Sequence, residues 1–262
     1  MNILVLLAGV ADNRYPLHPI AIGADGQIDE SVQSRRILSP FDEGALELAL
    51  KLRDKHSDCH LEVLVLGGSN SDNLLRSVAA FKPDRLRRLD LQPCCLWDAQ
   101  LSSHQIAGLI RSEALLPDLL LIGREFGDLD EGGLPVMLAS ALGLPLFSLT
   151  QYAQWQDGQL CLLRERGIRQ QWYRPPGPVL ATVTNDRRNK LRHPLMKNVM
   201  MAKKLGFDVA AATADGSPLR LKALEVARDV QRGGQCRMLA GDVGSQADTI
   251  LAYIRDSGGV SA

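Results

Sequence analysis

Two glycine-bearing turns hold most of the chemistry available in this sequence. Gly67-Gly68 closes the apolar run Leu61 to Leu66, and Gly132-Gly133 ends a loop that leaves the run Asp118 to Ile122 and carries Asp128 and Asp130. Glycine amides at a helix N-terminus bind phosphate through the backbone and the helix dipole. The same pair also reads as a plain strand-to-helix turn. The loop between Ile122 and the following helix is the best candidate site. A second concentration of reactive types is the basic run Arg187, Arg188, Lys190 and Arg192, followed by Leu195 and Met196. On its own this segment reads as a solvated connector with Leu195 and Met196 tucked into the fold.

Much other chemistry is excluded by pattern. No G-x-S-x-G elbow organises the scattered Ser, His and Asp residues into a triad. Five cysteines, an odd number without regular spacing, point to a reducing compartment, the cytoplasm in a bacterium, rather than to a disulfide framework. Cys94 and Cys95 are adjacent rather than a C-x-x-C pair, and Cys59-His60 lacks the second pair that a zinc site needs. Thirty basic and thirty acidic residues cancel, which leaves no electrostatic case for nucleic acid. No apolar run approaches a membrane span. Ile3 to Ala11 has no basic segment before it and reads as a first buried strand.

Apolar runs of strand length alternate with helical patterns, the signature of an α/β protein with a doubly wound, mostly parallel sheet. The runs are Asn2 to Ala8, Leu61 to Leu66, Leu86 to Leu91, Asp118 to Ile122 and Val179 to Thr184. Ser39-Pro40-Phe41-Asp42 is an S-x-x-D helix start. In the helix that follows, Phe41, Ala45, Leu48, Ala49 and Leu52 face inward while Glu43, Glu47, Lys51 and Arg53 stay wet. Leu146 to Gln154 and Leu160 to Glu165, joined by Gln156-Asp157-Gly158, read as a small antiparallel hairpin, which Trp172 and Tyr173 extend. Beyond Thr184 the chain forms an extended C-terminal arm with no long apolar run. Its one strong element is a terminal amphipathic helix, capped at Ser245-Gln246-Ala247-Asp248 and striped with Ala247, Ile250, Leu251 and Ile254.

Several strings then line up in one order. They are Pro40-Phe41-Asp42-Glu43, Leu75-Arg76-Ser77-Val78-Ala79 with Pro83-Asp84, Gly123-Arg124-Glu125 with Asp128-Leu129-Asp130, Leu142-Gly143-Leu144-Pro145, Pro178-Val179-Leu180-Ala181-Thr182, and Asn198-Val199-Met200-Met201-Ala202-Lys203-Lys204. Together they resemble the β subunit of electron transfer flavoproteins over nearly the whole chain, as a divergent member. The resemblance implies a Rossmann-like, adenine nucleotide alpha hydrolase-like fold. It implies an electron carrier without catalytic residues of its own, paired with an α subunit that holds the redox-active FAD. The β subunit shields one side of the flavin and binds one AMP. Electrons would arrive from a flavin dehydrogenase and leave to a membrane quinone oxidoreductase. Residues 1–190 would be the nucleotide-binding domain, and 191–262 the recognition loop and the arm that docks on the partner subunit. Gly67, Gly68, Asp128, Asp130, Gly132 and Gly133 would line the AMP site, and Leu195 or Met196, with Arg187 and Arg188, would meet the dehydrogenase.

Departures accompany the matches. Where the family has Asn-Gln-Thr-Gly in its nucleotide loop, this chain has Gly132-Gly133-Leu134-Pro135, so the AMP site is degraded in its polar side chains. Arg166-Gly167-Ile168-Arg169 stands where Asp-Gly-Gly is usual, and Ala8-Gly9 replaces a Lys-Arg pair. An alternative from another class is a stand-alone adenine-nucleotide-binding or ATP-pyrophosphatase-like α/β protein, although Gly67-Gly68-Ser69-Asn70-Ser71 only superficially matches the S-G-G-x-D-S loop of such synthetases. A second FAD in place of AMP is disfavoured by the missing polar loop.

Overall fold

The computed structural model describes residues 1–12, 14, 36–91, 98–113, 116–128, 132–212, 225 and 238–256. The chain divides into two compact units, Met1–Glu225 and Val226–Ala262. The first is built on a seven-stranded sheet whose pairings are all parallel. Its members in chain order are β1 (Asn2–Leu7), β4 (His60–Leu66), β5 (Arg85–Asp90), β6 (Leu119–Gly123), β7 (Leu146–Thr150), β11 (Val179–Val183) and β12 (Asp208–Ala211). They lie in the order β12-β5-β4-β1-β6-β11-β7. Two short strands, β2 (Val10–Ala11) and β3 (Arg36–Ile37), pair as a ribbon just past β1.

Strand β1 shows why the sheet is covered on both sides. Ile3, Val5 and Leu7 join one apolar cluster and Leu4 and Leu6 another, so alternate residues of one strand feed two cores. The first core is closed by helices α1 (Pro40–Lys55) and α2 (Asp72–Ala79), the second by α3 (Ala99–Ser112) and α4 (Gly133–Leu142). Helix α1 begins as its sequence dictates. Ser39 Oγ accepts from the Asp42 amide at 3.0 Å, and Asp42 Oδ2 accepts from the Ser39 amide at 3.1 Å.

The structure departs from the sequence reading in four places. The run Leu146–Gln154 is not one hairpin strand: β7 stays in the main sheet and β8 (Tyr152–Gln156) leaves it, pairing across Asp157-Gly158 with β9 (Gln159–Arg166), which β10 (Arg169–Tyr173) extends. The break is made at Leu149, at φ +62°, beside a register shift in β11, and the Thr182 hydroxyl accepts the displaced Leu149 amide at 2.9 Å. Strand β12 lies beyond the last expected strand. It is a four-residue, largely exposed edge paired with β5, and its apolar run, Val209 to Ala212, is too short and too small in its side chains to stand out. With it, residues past 190 return to the main sheet.

Glu47 was expected in water and is 3 % exposed. Arg192, 145 residues away, binds both carboxylate oxygens of Glu47 at 3.0 to 3.3 Å and also pairs with Asp54. The wet face of α1 is thus roofed by the chain segment that follows β11.

In the second unit, described by itself, α6 (Val243–Asp256) starts before the expected cap. The Asp242 carboxylate accepts from the amides of Gly244 and Ser245 at 2.9 and 3.1 Å and from the Ser245 hydroxyl at 2.6 Å. No residue of α6 is buried, and Ile250 and Leu251 of its stripe are 47 % and 48 % exposed.

Replacing Arg192 by Ala leaves the Glu47 carboxylate buried without its cation. Full burial of both partners would cost about 3 to 5 kcal/mol. Arg192 is part-exposed, so solvent screening reduces the expected loss to about 2 kcal/mol, read as a lowered urea midpoint at unchanged slope. Substituting Glu47 by Gln in the same chain should recover most of it, and an unmoved midpoint in R192A would show that the pair contributes nothing.

Candidate functional site

Along the sheet the chain runs from β1 outward through β4 and β5, then returns to the other side of β1 with β6. The crevice at the carboxyl ends of β1 and β6 is therefore the topological switch point, where open α/β sheets hold ligands. Three loops meet there: the exit of β1, the start of α1, and the loop between β6 and α4.

The exit of β1 is confined to glycine. Gly9 sits at φ +66°, and a Cβ on it would lie 2.7 Å from Leu74 Cδ2 and 2.9 Å from the Ile37 carbonyl oxygen. Its amide donates to Asp42 Oδ2 at 3.1 Å. Asp42 is wholly buried, and its Oδ1 has no partner. Burial raises its pKa to about 6, against the lowering effect of the amides and hydroxyl that bind it.

Past Gly9, the ribbon of β2 and β3 is fastened to the β6–α4 loop by Asp128. Asp128 Oδ1 accepts from the Ala11 amide at 2.9 Å, and Oδ2 accepts from Arg36 Nη1 and Nη2 at 3.0 and 3.1 Å. Arg36 is itself buried and reaches the Gly9 carbonyl at 3.5 Å. Both oxygens of Asp128 are thereby occupied within the chain. On the far side of the loop, Gly123 admits no side chain, since a Cβ would meet Phe41 Cβ and the Glu125 carbonyl at 2.9 Å. The Arg124 guanidinium lies over the Phe41 ring at 5.2 Å.

The glycine pairs differ in what they leave open. The Gly67 amide donates to the Leu89 carbonyl at 3.1 Å, its own carbonyl accepts from Arg88 at 3.1 Å, and a Cβ there would overlap Ser71 Oγ. Gly68 binds the Ser71 amide through its carbonyl at 3.0 Å. At the other turn Gly132 is the N-cap of α4 at φ +74°, with no side chain capping the helix and nothing within 4 Å of its Cβ position. Gly133 approaches Ala99 at the start of α3, whose own cap, Asp98, is fully buried and accepts from the Leu101 amide at 3.0 Å. Two helix N-termini thus lie close together, one capped by the Asp98 carboxylate and one with a glycine at its N-cap. Asp130 lies outside the described residues. Among the described residues, no group of three or more acidic, histidine or cysteine side chains could hold a metal, and no helix is long and apolar enough to cross a membrane.

Leu195 and Met196 are 71 % and 74 % exposed at the start of α5 (Met196–Ala202), so they are not tucked into the fold. The opposite side of α5 packs through Ala202 and Val199 on Ala79 and Ala80 at the end of α2. Of the basic run, Arg188 is held by Asp186 at 2.9 Å and Glu165 at 3.4 Å, and Arg192 by Glu47 and Asp54. Arg187 makes no ion pair among the described residues. A cleft of about 470 Å³ lies between α2 and α5, lined among others by Leu86, Met201, Leu205 and Phe207. It is apart from the switch point and shares α5 with the exposed pair. Neither Arg36 nor the inward role of Asp42 was visible in the sequence: a cap signal marked Asp42, and nothing marked an ion pair spanning 92 residues.

A family model described as the electron transfer flavoprotein domain matches residues 30–215. The electron transfer flavoprotein subunit beta of Megasphaera elsdenii is 26 % identical, over 80 % of this chain and 83 % of its own length. The subunits of the same name from Syntrophomonas wolfei subsp. wolfei and Bradyrhizobium diazoefficiens are 27 % and 24 % identical, over 71 % and 78 % of this chain and 71 % and 79 % of their own.

The raised pKa of Asp42 has a consequence for stability. Its folded value of about 6 exceeds the 3.8 of a free aspartate, so the folded state holds the proton more tightly. The stabilisation is full below the unfolded pKa and is lost as pH rises through about 6, a change of up to about 3 kcal/mol. Denaturant titrations between pH 5 and 7.5 should therefore show a steeper fall in stability for the wild type than for Asp42→Asn, which cannot titrate. Parallel curves would show that Asp42 stays ionised throughout that range.

Proposed function

This chain belongs to the electron transfer flavoprotein domain family as a divergent relative of its β subunits, and we propose that it works as the β subunit of a heterodimeric electron carrier. In this reading an α subunit holds the FAD, a flavin dehydrogenase supplies electrons, and a membrane quinone oxidoreductase receives them. The observation that carries it is the family match over residues 30–215, which spans both the β6–α4 loop and α5. The carrier has no catalytic residue of its own and covers one side of the flavin, excluding water from all but the edge that exchanges electrons. A reducing compartment, the cytoplasm in a bacterium, accords with the unpaired Cys59 and Cys161.

The residues at the switch point fit an adenine nucleotide held by backbone. The glycine N-cap of α4 and the Gly68 turn leave space beside the backbone, since no atom lies within 4 Å of the Cβ position at Gly132. AMP there would be held by amides near Gly68, Gly132 and Gly133, with Gly67 shaping the turn. Asp128 would also fix the loop, because both of its oxygens accept hydrogen bonds within the chain. Asp130 would stand on the same loop.

For the dehydrogenase, Leu195 and Met196 form the apolar anchor, since both are exposed together at a helix start. Arg187 and Lys190 are the steering charges that make no ion pair among the described residues, whereas Arg188 and Arg192 hold the segment in place. The domain division follows function here: the nucleotide-binding part to residue 190, then the recognition segment and the arm that docks on the α subunit.

Coexpression with the α subunit should give a one-to-one heterodimer carrying one FAD, whereas a well-folded monomer that takes up FAD unaided would overturn the assignment. Denatured heterodimer should release AMP at up to one equivalent, measured by mass spectrometry. In the same heterodimer, replacing Leu195 and Met196 by Ala should slow flavin reduction by the dehydrogenase about tenfold, corresponding to an anchor of about 1.4 kcal/mol, with the flavin spectrum unchanged. Wild-type reduction rates would move the docking site elsewhere.

A further inference from the structure

We propose that the cleft between α2 and α5 receives a bulky apolar side chain from an acidic face of the electron-donating dehydrogenase, so that docking is reciprocal: Leu195 and Met196 enter the partner, and the partner enters the cleft. This rests on the reading of α5 as the dehydrogenase contact.

The cleft is lined by apolar groups and carries only positive charge. Its volume of about 470 Å³ falls within the ~300 to 1,000 Å³ that ligand pockets span. Buried Ala79 and Ala202 and half-buried Leu86 and Phe207 line it together with Met201 and Leu205, which are 54 % and 51 % exposed. Apolar area left in water on this scale is recovered when a partner covers it. The charged residues of the lining are Lys82 and Lys204, and neither makes an ion pair among the described residues. Asp84 and Asp208, the acidic residues next along the chain, are not part of it. Lys82 is held at φ +54°, a conformation that glycine would adopt at lower cost, and its carbonyl accepts from Arg53 Nη1 at 2.7 Å. From Arg187 to Phe207 the chain carries seven Lys or Arg residues and no Asp or Glu. An acidic partner is the complement of that surface.

Shape decides between occupants. A lipid surface could bury Leu195 and Met196 but would leave the concavity beside them unfilled, whereas a protruding side chain fills it. A second copy would bring two basic surfaces together, which costs association energy. Electron-transfer interfaces are small, and one apolar anchor leaves the partner free to rotate about it. A projection and a recess on the same short helix fix that angle. Met201 suits the wall of such a recess, since its unbranched side chain adapts to the group that enters.

The test uses the purified heterodimer carrying carbon-13 in its methionine methyl groups, with the acetylated, amidated peptide Glu-Glu-Phe-Leu-Glu-Glu as the probe. The peptide should shift the Met201 methyl resonance, and the basic counterpart Lys-Lys-Phe-Leu-Lys-Lys should not. Gly206 lines the cleft outside the left-handed region, with nothing within 4 Å of its Cβ position, so a side chain added there meets no obstacle. Gly206→Leu should weaken peptide binding about tenfold, and so should Lys82→Ala combined with Lys204→Ala. In flavin reduction by the dehydrogenase, G206L should be about fivefold slower with the flavin spectrum unchanged. An unmoved Met201, equal binding of the two peptides, or a Met201 shift produced instead by phosphatidylglycerol vesicles or by concentrating the heterodimer alone would each overturn the proposal. So would wild-type reduction of G206L where the L195A/M196A variant is slowed, a result that leaves the anchor reading standing. Wild-type rates in both variants would overturn the two together.

Discussion

Position 9 constrains the rest of the molecule. Strand β1 is the hub of the sheet, paired with β4 on one side and β6 on the other and buried on both faces. The chain has to leave this hub between Leu74 of α2 and the carbonyl of Ile37, in a gap too narrow for a Cβ and at a positive φ. Once glycine is fixed there, its amide points inward and needs an acceptor, because a buried unpaired N–H is costly. Asp42 supplies it, and the start of α1 is fixed by the same oxygen. The two helices on that face and the ribbon past β1 all take their positions from one backbone turn.

The segment past β11 shows how charge organises what hydrophobicity leaves undefined. It has few large apolar residues to bury, yet it is held across α1 by Arg192 on Glu47 and by Lys51 on the Arg188 carbonyl. Ion pairs of this kind add little net stability when exposed, but with Glu47 buried the contact becomes one that cannot be broken without cost. That rigid underside lets α5 present Leu195 and Met196 outward at the end of a firmly held strap. The basic run therefore divides by function along its length, with Arg188 and Arg192 serving the fold.

How much of this was legible depends on the range of the interaction. Strands β1, β4, β5, β6 and β11 follow from apolar runs, and the start of α1 from a local capping box, because those signals lie within a few residues of one another. The unread features are the non-local ones. Glu47 looked wet because its partner comes 145 residues later, the ion pair of Asp128 was hidden because Arg36 precedes it by 92, and β12 pairs with β5 through backbone groups that carry no side-chain signature. The break at Leu149 was hidden for a related reason: its determinants are a register shift in β11 and the hydroxyl of Thr182. At the candidate site the glycines were visible, while the contacts that aim them were not.

The two ends of the proposed function place opposite demands on the same chain. A nucleotide held by backbone amides requires a rigid frame, since each amide contributes only if it already points at the ligand. A transient electron-transfer contact requires the reverse, a small apolar anchor whose burial is favourable but brief. The structure separates them by material. At the switch point, buried Asp42 and Arg36 and side-chain-free glycines hold the backbone in place, whereas α5 rests on α2 through the small residues Ala79, Ala80 and Ala202 and keeps its long side chains outside. Rigid geometry thus stands where the proposed recognition depends on direction, and exposed flexible side chains where it depends on area.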